Sequence, residues 1–172
     1  MDIGVRGLRA LVTGGSRGLG LATATLLARE GATVTINARD AVRLKAVADS
    51  IGGYAVAGNL RDAAAPAVIV AEAAGLMGGI DILFCNAGGP PSGPFETFGE
   101  DAWQSAIDLS FMSAVRLVKA ALPHLRKSKA ASVLFVASYS VKQPIPGLVL
   151  SNAVRAATVG LSKSLALCRE AI

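Results

Sequence analysis

Two side chains near the end of the chain, Ser151 and Arg155, have the spacing of neighbours on one face of a helix. Residues 148–166 read as an apolar lead-in followed by a long amphipathic helix, and positions four apart on a helix point the same way. A hydroxyl and a guanidinium in that arrangement can hold a ligand by hydrogen bonds. The alternative is structural, because Ser151 or Asn152 can also act as an N-cap that accepts the first free N–H groups.

A second candidate site is the glycine-rich stretch TGGSRGLG at residues 13–20. Glycines there allow the backbone to turn tightly and approach a pyrophosphate, and the helix that follows offers free N–H groups and a favourable dipole. A turn between a strand and a helix needs glycine in any case, but a second strand follows, which favours a nucleotide site. The residues of this stretch predicted to bind the cofactor are Gly14, Ser16, Arg17, Gly18, Leu19 and Gly20.

The end of the second predicted strand indicates which nucleotide is bound. Sites for the non-phosphorylated cofactor usually carry an acid there, whereas this sequence has Arg39, with Asp40 one residue later. Two guanidinium groups, Arg17 and Arg39, can clamp a ribose 2′-phosphate. The sequence therefore predicts NADPH in preference to NADH; the alternative is that Arg39 is a surface residue that begins the second helix.

The elements that must position these residues alternate along the whole chain. Short branched runs at RALVTGG, TVTINAR, YAVAGNL, DILFCNAGG and SVLFVAS are separated by helical stretches rich in Ala and Leu. This pattern predicts an α/β fold, a doubly wound parallel sheet of the Rossmann type with about five strands in the order 3-2-1-4-5. Residues 1–172 are expected to form a single dinucleotide-binding domain.

Composition excludes several other classes of protein. The net charge of +5 comes from scattered basic residues, and 5% aromatic residues are too few for stacking on single-stranded nucleic acid, so no nucleic-acid partner is predicted. No apolar run reaches the length of about 18 residues that a membrane span needs, and the N-terminus lacks the pattern of a signal peptide. Two cysteines, Cys85 and Cys168, suit a reducing compartment, which predicts a soluble cytoplasmic protein. No metal site is predicted.

Together, TGGSRGLG and the NAGG stretch at residues 86–89 resemble the motifs of the short-chain dehydrogenase/reductase family, and the matching layout covers essentially the whole chain. The resemblance implies that Asn86, Ala87 and Gly88 contribute to the cofactor site. It also implies that Asn59 and Leu60, in GNLRD, contact adenine, with Asn59 where the family usually has an acid. The strand VLFVAS ends on Ser138, which corresponds to the family's catalytic serine.

The other catalytic positions of the family are changed. Relatives use a Ser-Tyr-Lys set, usually joined by Asn, but this chain has Ser151 for Tyr, Arg155 for Lys and Ser110 for Asn. A serine hydroxyl is a much poorer proton donor than a phenol, and arginine can hold ribose hydroxyls but cannot shuttle protons. Tyr139, next to Ser138, is a candidate surrogate acid; the alternative is a loop tyrosine packed on the fifth predicted helix.

Relatives also continue beyond the fifth helix with further strands and a substrate loop. The expectation is therefore a dinucleotide-binding domain that lacks the usual C-terminal strands, with the substrate pocket largely absent. The fourth and fifth helices form a dimer face in relatives, which implies a homodimer or homotetramer.

Three functions are compatible with the sequence. The leading hypothesis is an NADPH-dependent oxidoreductase that acts on a small carbonyl or alcohol substrate, with 3-oxoacyl thioesters among the candidates. The second is a non-catalytic NADP(H)-binding protein that has lost proton transfer. The third is an inert truncated homologue that holds no nucleotide.

Overall fold

Five parallel strands form one sheet in the order β3-β2-β1-β4-β5, as predicted. The computed structural model describes residues 3–167, so Cys168 lies outside the described residues. The strands are β1 (Arg9–Thr13), β2 (Thr33–Ala38), β3 (Tyr54–Ala57), β4 (Ile82–Cys85) and β5 (Ser132–Phe135). The strand order reverses between β1 and β4, so the carboxyl ends of these two strands open the crevice in which such sheets bind ligands.

Helices connect successive strands and cover the sheet on two sides. They are α1 (Gly18–Arg29), α2 (Ala41–Ser50), α3 (Ala65–Met77), α4 (Glu100–Ile107), α5 (Ser113–Leu125) and α6 (Val149–Leu167). The fourth helix of the sequence prediction is α4 and α5 joined by a π-helical turn, Asp108–Met112. The fifth predicted helix is α6. Among the described helices, none combines the length and apolar character needed to cross a membrane.

Strand β1 shows why both faces of the sheet are covered. Leu11 packs into a cluster with α3 and α5, whereas Ala10 and Val12 pack into a second cluster with α1 and α2. All three side chains are fully buried. Successive side chains of a strand point to opposite faces, so a strand buried on both sides must be apolar throughout.

An ion pair fastens the amino ends of β1 and β4. The carboxylate of Asp81 accepts hydrogen bonds from Arg9 Nε and Nη2, each at 2.7 Å, and from the Arg9 backbone N–H at 2.9 Å. Hydrogen bonds from this guanidinium hold the pKa of the Asp81 carboxyl well below its usual range. The pair lies at the edge of the sheet opposite the glycine-rich stretch.

Candidate functional site

The stretch between β1 and α1 forms a tight loop that ends at the helix N-terminus. Gly14 has a φ of +60°, and a Cβ there would lie 2.7 Å from Asn86 Nδ2. A Cβ on Gly20 would overlap the carbonyl oxygen of Gly14. Both positions therefore require glycine, one for its backbone conformation and one for the close packing of α1 against the loop.

Asn86 holds this loop from the neighbouring strand. Its Nδ2 donates to the carbonyl oxygens of Thr13 at 3.2 Å and Gly14 at 3.3 Å, and its backbone N–H donates to Thr13 Oγ1 at 2.9 Å. Thr13 is fully buried. The amide of Asn86 thus fixes the ends of β1 and β4 relative to one another. Its predicted contact with the cofactor stays a prediction.

A cleft of about 750 Å³ opens beside the loop, within the range of small-molecule and cofactor sites. Eleven of the thirteen residues predicted to bind the cofactor line this cleft: Gly14, Ser16, Arg17, Gly18, Leu19, Arg39, Asn59, Leu60, Asn86, Ala87 and Gly88. Gly20 and Arg155 do not line it. Sequence reasoning missed six lining residues: Asn37, Ala38, Asp40, Arg43, Gly58 and Leu109.

The charged side chains of the cleft all come from segments that follow β1 or β2. Arg17, Arg39 and Arg43 supply three guanidinium groups, and Asp40 supplies the carboxylate. Asp40 caps α2, because its Oδ1 accepts the backbone N–H of Arg43 at 3.0 Å. That bond uses one carboxylate oxygen of Asp40, an acid whose presence would argue for the non-phosphorylated cofactor, and Asp40 remains exposed at the cleft. Arg43 was missed, although its place four residues after Arg39 puts it in the first turn of α2, beside the strand end.

Two asparagines shape the wall beside β3. Asn37 is buried, and its Nδ2 donates to the carbonyl oxygens of Val56 at 2.9 Å and Gly58 at 3.3 Å. Asn59 Oδ1 accepts the backbone N–H of Arg61 at 3.3 Å. Both side chains therefore stabilise the backbone of the cleft wall beside β3. Asn37 gave no sequence signal, because a polar residue at a strand end is common.

Arg155 lies behind the cleft rather than along it. Only 8% of Arg155 is exposed to solvent. Its guanidinium donates to the carbonyl oxygen of Val136 and, at 3.3 Å, to that of Ala87. Burial lowers the pKa of this guanidinium. The two acceptors follow β5 and β4, so Arg155 bridges the ends of neighbouring strands. Its predicted contact with the ribose stays a prediction.

A small cavity of about 10 Å³ adjoins Arg155. Ser110, in the π-helical turn, lines it with Thr158 of α6, and Ser110 Oγ is buried without a hydrogen-bond partner among the described residues. Thr158 Oγ1 lies 3.2 Å from the carbonyl oxygen of Ser110. The cavity is about the size of one water molecule. Leu60, Asn86 and Ala87 separate it from the cleft, since they line both.

The remaining predicted catalytic side chains lie after β5 and at the start of α6. Ser138 Oγ accepts the backbone N–H of Ser140 at 3.2 Å, and Ser151 is half-buried. Tyr139 is 75% exposed on a 3₁₀ turn. This exposure contradicts the alternative in which Tyr139 packs on the fifth helix. None of the three lines the cleft, and their catalytic roles stay predictions.

The start of α6 also differs from the sequence prediction. The helix begins at Val149, and the carbonyl oxygen of Leu148 accepts the Asn152 N–H at 2.8 Å. The expectation that Ser151 or Asn152 forms the N-cap is therefore wrong. The Asn152 amide instead pairs with the preceding loop, since its Nδ2 donates to the Ile145 carbonyl oxygen at 3.0 Å.

Other chemistries find little support in residues 3–167. That part of the chain holds no cluster of three His, Cys, Asp or Glu side chains able to bind a metal ion. Cys85 is buried at the end of β4, and burial raises the pKa of its thiol to about 12. A thiol in that state is a poor nucleophile, which agrees with a packing role.

Known proteins share both the sequence and the architecture. The profile of the short chain dehydrogenase family matches residues 9–170. Dehydrogenase/reductase SDR family member 4 of the rabbit is 37% identical over 92% of this chain and 63% of its own length. The curated relatives of this kind are therefore longer, and the chain spans about three fifths of them.

Two solved structures that hold NADPH superimpose closely. A short chain oxidoreductase of Pseudomonas aeruginosa, described as containing an atypical catalytic centre, has a TM-score of 0.87 and 33% identity over 94% of this chain and 66% of its own. L-Sorbose reductase of Gluconobacter frateurii, in complex with NADPH and L-sorbose, has a TM-score of 0.91 and 31% identity over 96% and 65%. With its glycine loop, its strand order and these matches, the chain belongs to the short-chain dehydrogenase/reductase family.

Proposed function

We propose that this chain binds NADPH in the cleft and takes part in the reduction of a carbonyl substrate, or in the reverse oxidation. The observation that carries the proposal is the charge pattern of the cleft. Arg17, Arg39 and Arg43, which follow β1 and β2, all line the cleft, against the single carboxylate of Asp40, one oxygen of which also caps α2. This pattern suits a ribose 2′-phosphate, and the similar structures that hold NADPH support it.

Each part of the cleft matches one part of the cofactor. The loop before α1 and the N-terminus of that helix offer N–H groups for the pyrophosphate. Arg17 and Arg39 would hold the 2′-phosphate, and Asn59 with Leu60 would contact the adenine. Ala87 and Gly88, on the β4 side, would adjoin the nicotinamide half. When bound, the cofactor supplies or accepts the hydride.

Proton transfer would fall to hydroxyl groups. Ser138 Oγ uses a lone pair to accept the Ser140 N–H, which leaves its hydrogen available to a substrate oxygen. Ser151, in the first turn of α6, would provide a second hydroxyl; Tyr139 is the alternative donor, which the substitution Tyr139→Phe tests. Ketones and 3-oxoacyl thioesters are the substrate classes that we propose to test first.

A titration of the purified chain with NADPH and with NADH tests the cofactor. Micromolar binding of NADPH and much weaker binding of NADH, followed by the fluorescence of the reduced nicotinamide, is the expected result. Equal affinity for both would contradict the role of the arginines. Binding of neither would leave the inert homologue as the remaining interpretation.

A non-catalytic NADP(H)-binding protein is the second candidate. A specific observation favours it: Arg155, at the position of the family's lysine, is buried and donates to two backbone carbonyls. NADPH oxidation measured against a panel of ketones and acyl thioesters separates the two candidates. Turnover that survives dialysis and depends on Ser138 supports the enzyme, whereas tight binding without any turnover supports the second candidate.

The assembly and the location of the protein complete the proposal. We propose that residues 1–172 act as one dinucleotide-binding unit in the cytoplasm. Pairing through α4, α5 and α6 would give a homodimer or homotetramer. Light scattering on the eluting peak of a size-exclusion column should then give at least twice the chain mass of 17.4 kDa.

A further inference from the structure

The buried cation of Arg155 has no counterion in the described part of the chain. No carboxylate of residues 3–167 forms an ion pair with its guanidinium, which donates to the carbonyl oxygens of Val136 and Ala87. Buried charges in proteins are normally paired, because an unpaired one is costly. Carbonyl dipoles solvate this charge but do not neutralise it.

The strand order places this charge on one particular side of the cleft. A dinucleotide spans the crevice at the point where the strand order reverses, here between β1 and β4. Arg17, Arg39 and Arg43 follow β1 and β2, so the adenosine 2′-phosphate belongs on the β1–β2 side of that point. The nicotinamide half must therefore extend toward the ends of β4 and β5, which Arg155 bridges.

Among the described residues that line the cleft and the small cavity, no other charged side chain lies on the β4–β5 side. Arg155 is the one charged residue of the small cavity, and the cleft is lined there by Asn86, Ala87, Gly88 and Leu109. Arg155 Nη2 lies 3.3 Å from the carbonyl oxygen of Ala87, which itself lines the cleft, so the cation lies directly behind the cleft wall. Low exposure also keeps water from screening the charge.

We infer that Arg155 makes the cleft selective for the reduced cofactor over the oxidised one. The inference rests on the proposed NADP(H) site. NADP⁺ carries a positive charge on its nicotinamide ring and NADPH does not, whereas the phosphates and the adenosine are the same in the two forms. An unneutralised cation beside the ring repels NADP⁺ alone. Arg155 thus acts through its field as a specificity-determining residue, and it biases the protein toward the state that is ready to reduce a substrate.

Coulomb's law sets the size of the effect. Two unit charges about 10 Å apart at an effective dielectric constant of about 20 change a dissociation constant by roughly tenfold. The expected result is therefore that the wild-type chain binds NADPH about tenfold more tightly than NADP⁺.

Calorimetric titration of the full chain with NADPH and NADP⁺ tests this, with two substitutions at the same position. Arg155→Lys keeps the charge and should keep the preference for NADPH. Arg155→Gln removes the charge but keeps an N–H donor, and it should bring the two dissociation constants within about threefold of each other, mainly through tighter binding of NADP⁺.

Two controls separate the charge from the fold and from the cofactor site itself. The ligand 2′,5′-ADP lacks the nicotinamide, so its affinity should be the same in the wild type and in Arg155→Gln. Arg39→Ala should weaken NADPH and NADP⁺ by the same factor, because both carry the 2′-phosphate.

Three outcomes would overturn the inference. Equal affinity of the wild type for NADPH and NADP⁺ contradicts it while leaving the cofactor site intact, and this comparison needs no variant to fold. A preference that persists in a folded Arg155→Gln protein contradicts the role of the charge. Binding of neither nucleotide removes the proposed function and the inference together.

Discussion

The two sides of the ligand-binding edge of the sheet differ in how their side chains are used. On the β1–β2 side, Arg17, Arg39 and Arg43 line the cleft. On the β4–β5 side, Arg155 is buried and Asn86 is bound to the glycine-rich loop, so their polar groups hold backbone together. The β1–β2 side exposes its charged side chains to the cleft. The β4–β5 side uses its polar side chains to hold the strand ends in place.

This contrast bears on the proposed function. Nucleotide binding on the β1–β2 side would require exposed donors and a glycine turn, and both are present. Catalysis on the β4–β5 side would require a proton donor and a cation in contact with the ligand, whereas the guanidinium of Arg155 lies behind the wall formed by Leu60, Asn86 and Ala87. Substitutions on each side should therefore change different properties.

The largest expected effect comes from the close contact between α1 and the loop. We expect Gly20→Ala to cost about 2–3 kcal/mol of the free energy of unfolding, because the added Cβ overlaps the Gly14 carbonyl oxygen. Affinity for NADPH should fall by about a hundredfold as the loop is displaced. Urea unfolding and fluorescence titration measure the two effects.

Gly75→Ala is the matched control for that substitution. Gly75 lies within α3, and a Cβ there meets no atom within 4 Å. Alanine should stabilise that helix by about 0.5–1 kcal/mol and leave NADPH affinity unchanged. If the two substitutions had the same effect, the close packing at Gly20 would not be the cause.

A substitution on the β1–β2 side of the cleft should change the affinity for NADPH and the affinity for NADH by different factors. Arg39→Ala is expected to weaken NADPH binding by about 10- to 100-fold, through loss of a charge-assisted hydrogen bond to the 2′-phosphate. NADH lacks that group, so its affinity should change little. Lys163→Ala, on the exposed face of α6, serves as the charge-matched control. Parallel losses for NADPH and NADH would show that Arg39 does not contact the phosphate.

A substitution at the opposite edge of the sheet, where β1 and β4 begin, should lower the stability of the fold without changing the affinity for NADPH. We expect Asp81→Asn to lower the free energy of unfolding by about 1–2 kcal/mol at pH 7, since it breaks the pair with Arg9. The pKa of Asp81 is lowered in the folded state, so its contribution is present above about pH 4 and is lost as the pH falls further.

Urea unfolding at pH 7 and pH 3 measures this difference. The difference between the wild type and Asp81→Asn should be largest at pH 7 and smaller at pH 3, where the loss has begun but the folded-state pKa of Asp81 has not yet been reached. NADPH affinity at pH 7 should be the same for the two proteins. A loss of affinity as large as that of Arg39→Ala would mean that the two edges of the sheet are coupled.

The smallest effect is expected at Tyr139. Because three quarters of this residue is exposed, Tyr139→Phe should change stability by no more than about 0.5 kcal/mol and leave turnover within about twofold of the wild type. Loss of most of the turnover, with NADPH affinity unchanged, would instead identify Tyr139 as the surrogate acid. The test uses whichever carbonyl substrate the panel identifies.

Much of the candidate site was predictable because the chain places it at strand ends. TGGSRGLG, Arg39 and residues 86–89 each follow a predicted strand, and parallel strands bring their carboxyl ends to one edge. The missed residues Asn37 and Arg43 lie at the end of a strand and in the first turn of a helix. Asn37 and Arg43 lie close in the sequence to Arg39, but which side chains near a strand end face the cleft depends on tertiary packing.

The start of α6 is a feature that local sequence preference did not predict. Ser151 and Asn152 have good N-cap side chains, and local preference alone favours a helix that begins there. In the structure Leu148 provides the first carbonyl acceptor, and Asn152 is used to hold Ile145. A loop that must pack beside the sheet determines where the helix begins, and this requirement outweighs the preference of one residue.

By itself, the sequence determined the alternation of strands and helices, the strand order and the glycine loop, because periodicity and backbone freedom are local properties. Only the tertiary structure decided where the charged side chains point. Arg39 and Arg155 are both guanidinium groups near strand ends, yet one is exposed in the cleft and the other is buried between two strands. Burial depends on what packs from distant parts of the chain, and that packing separates a charge exposed in the cleft from a charge buried behind it.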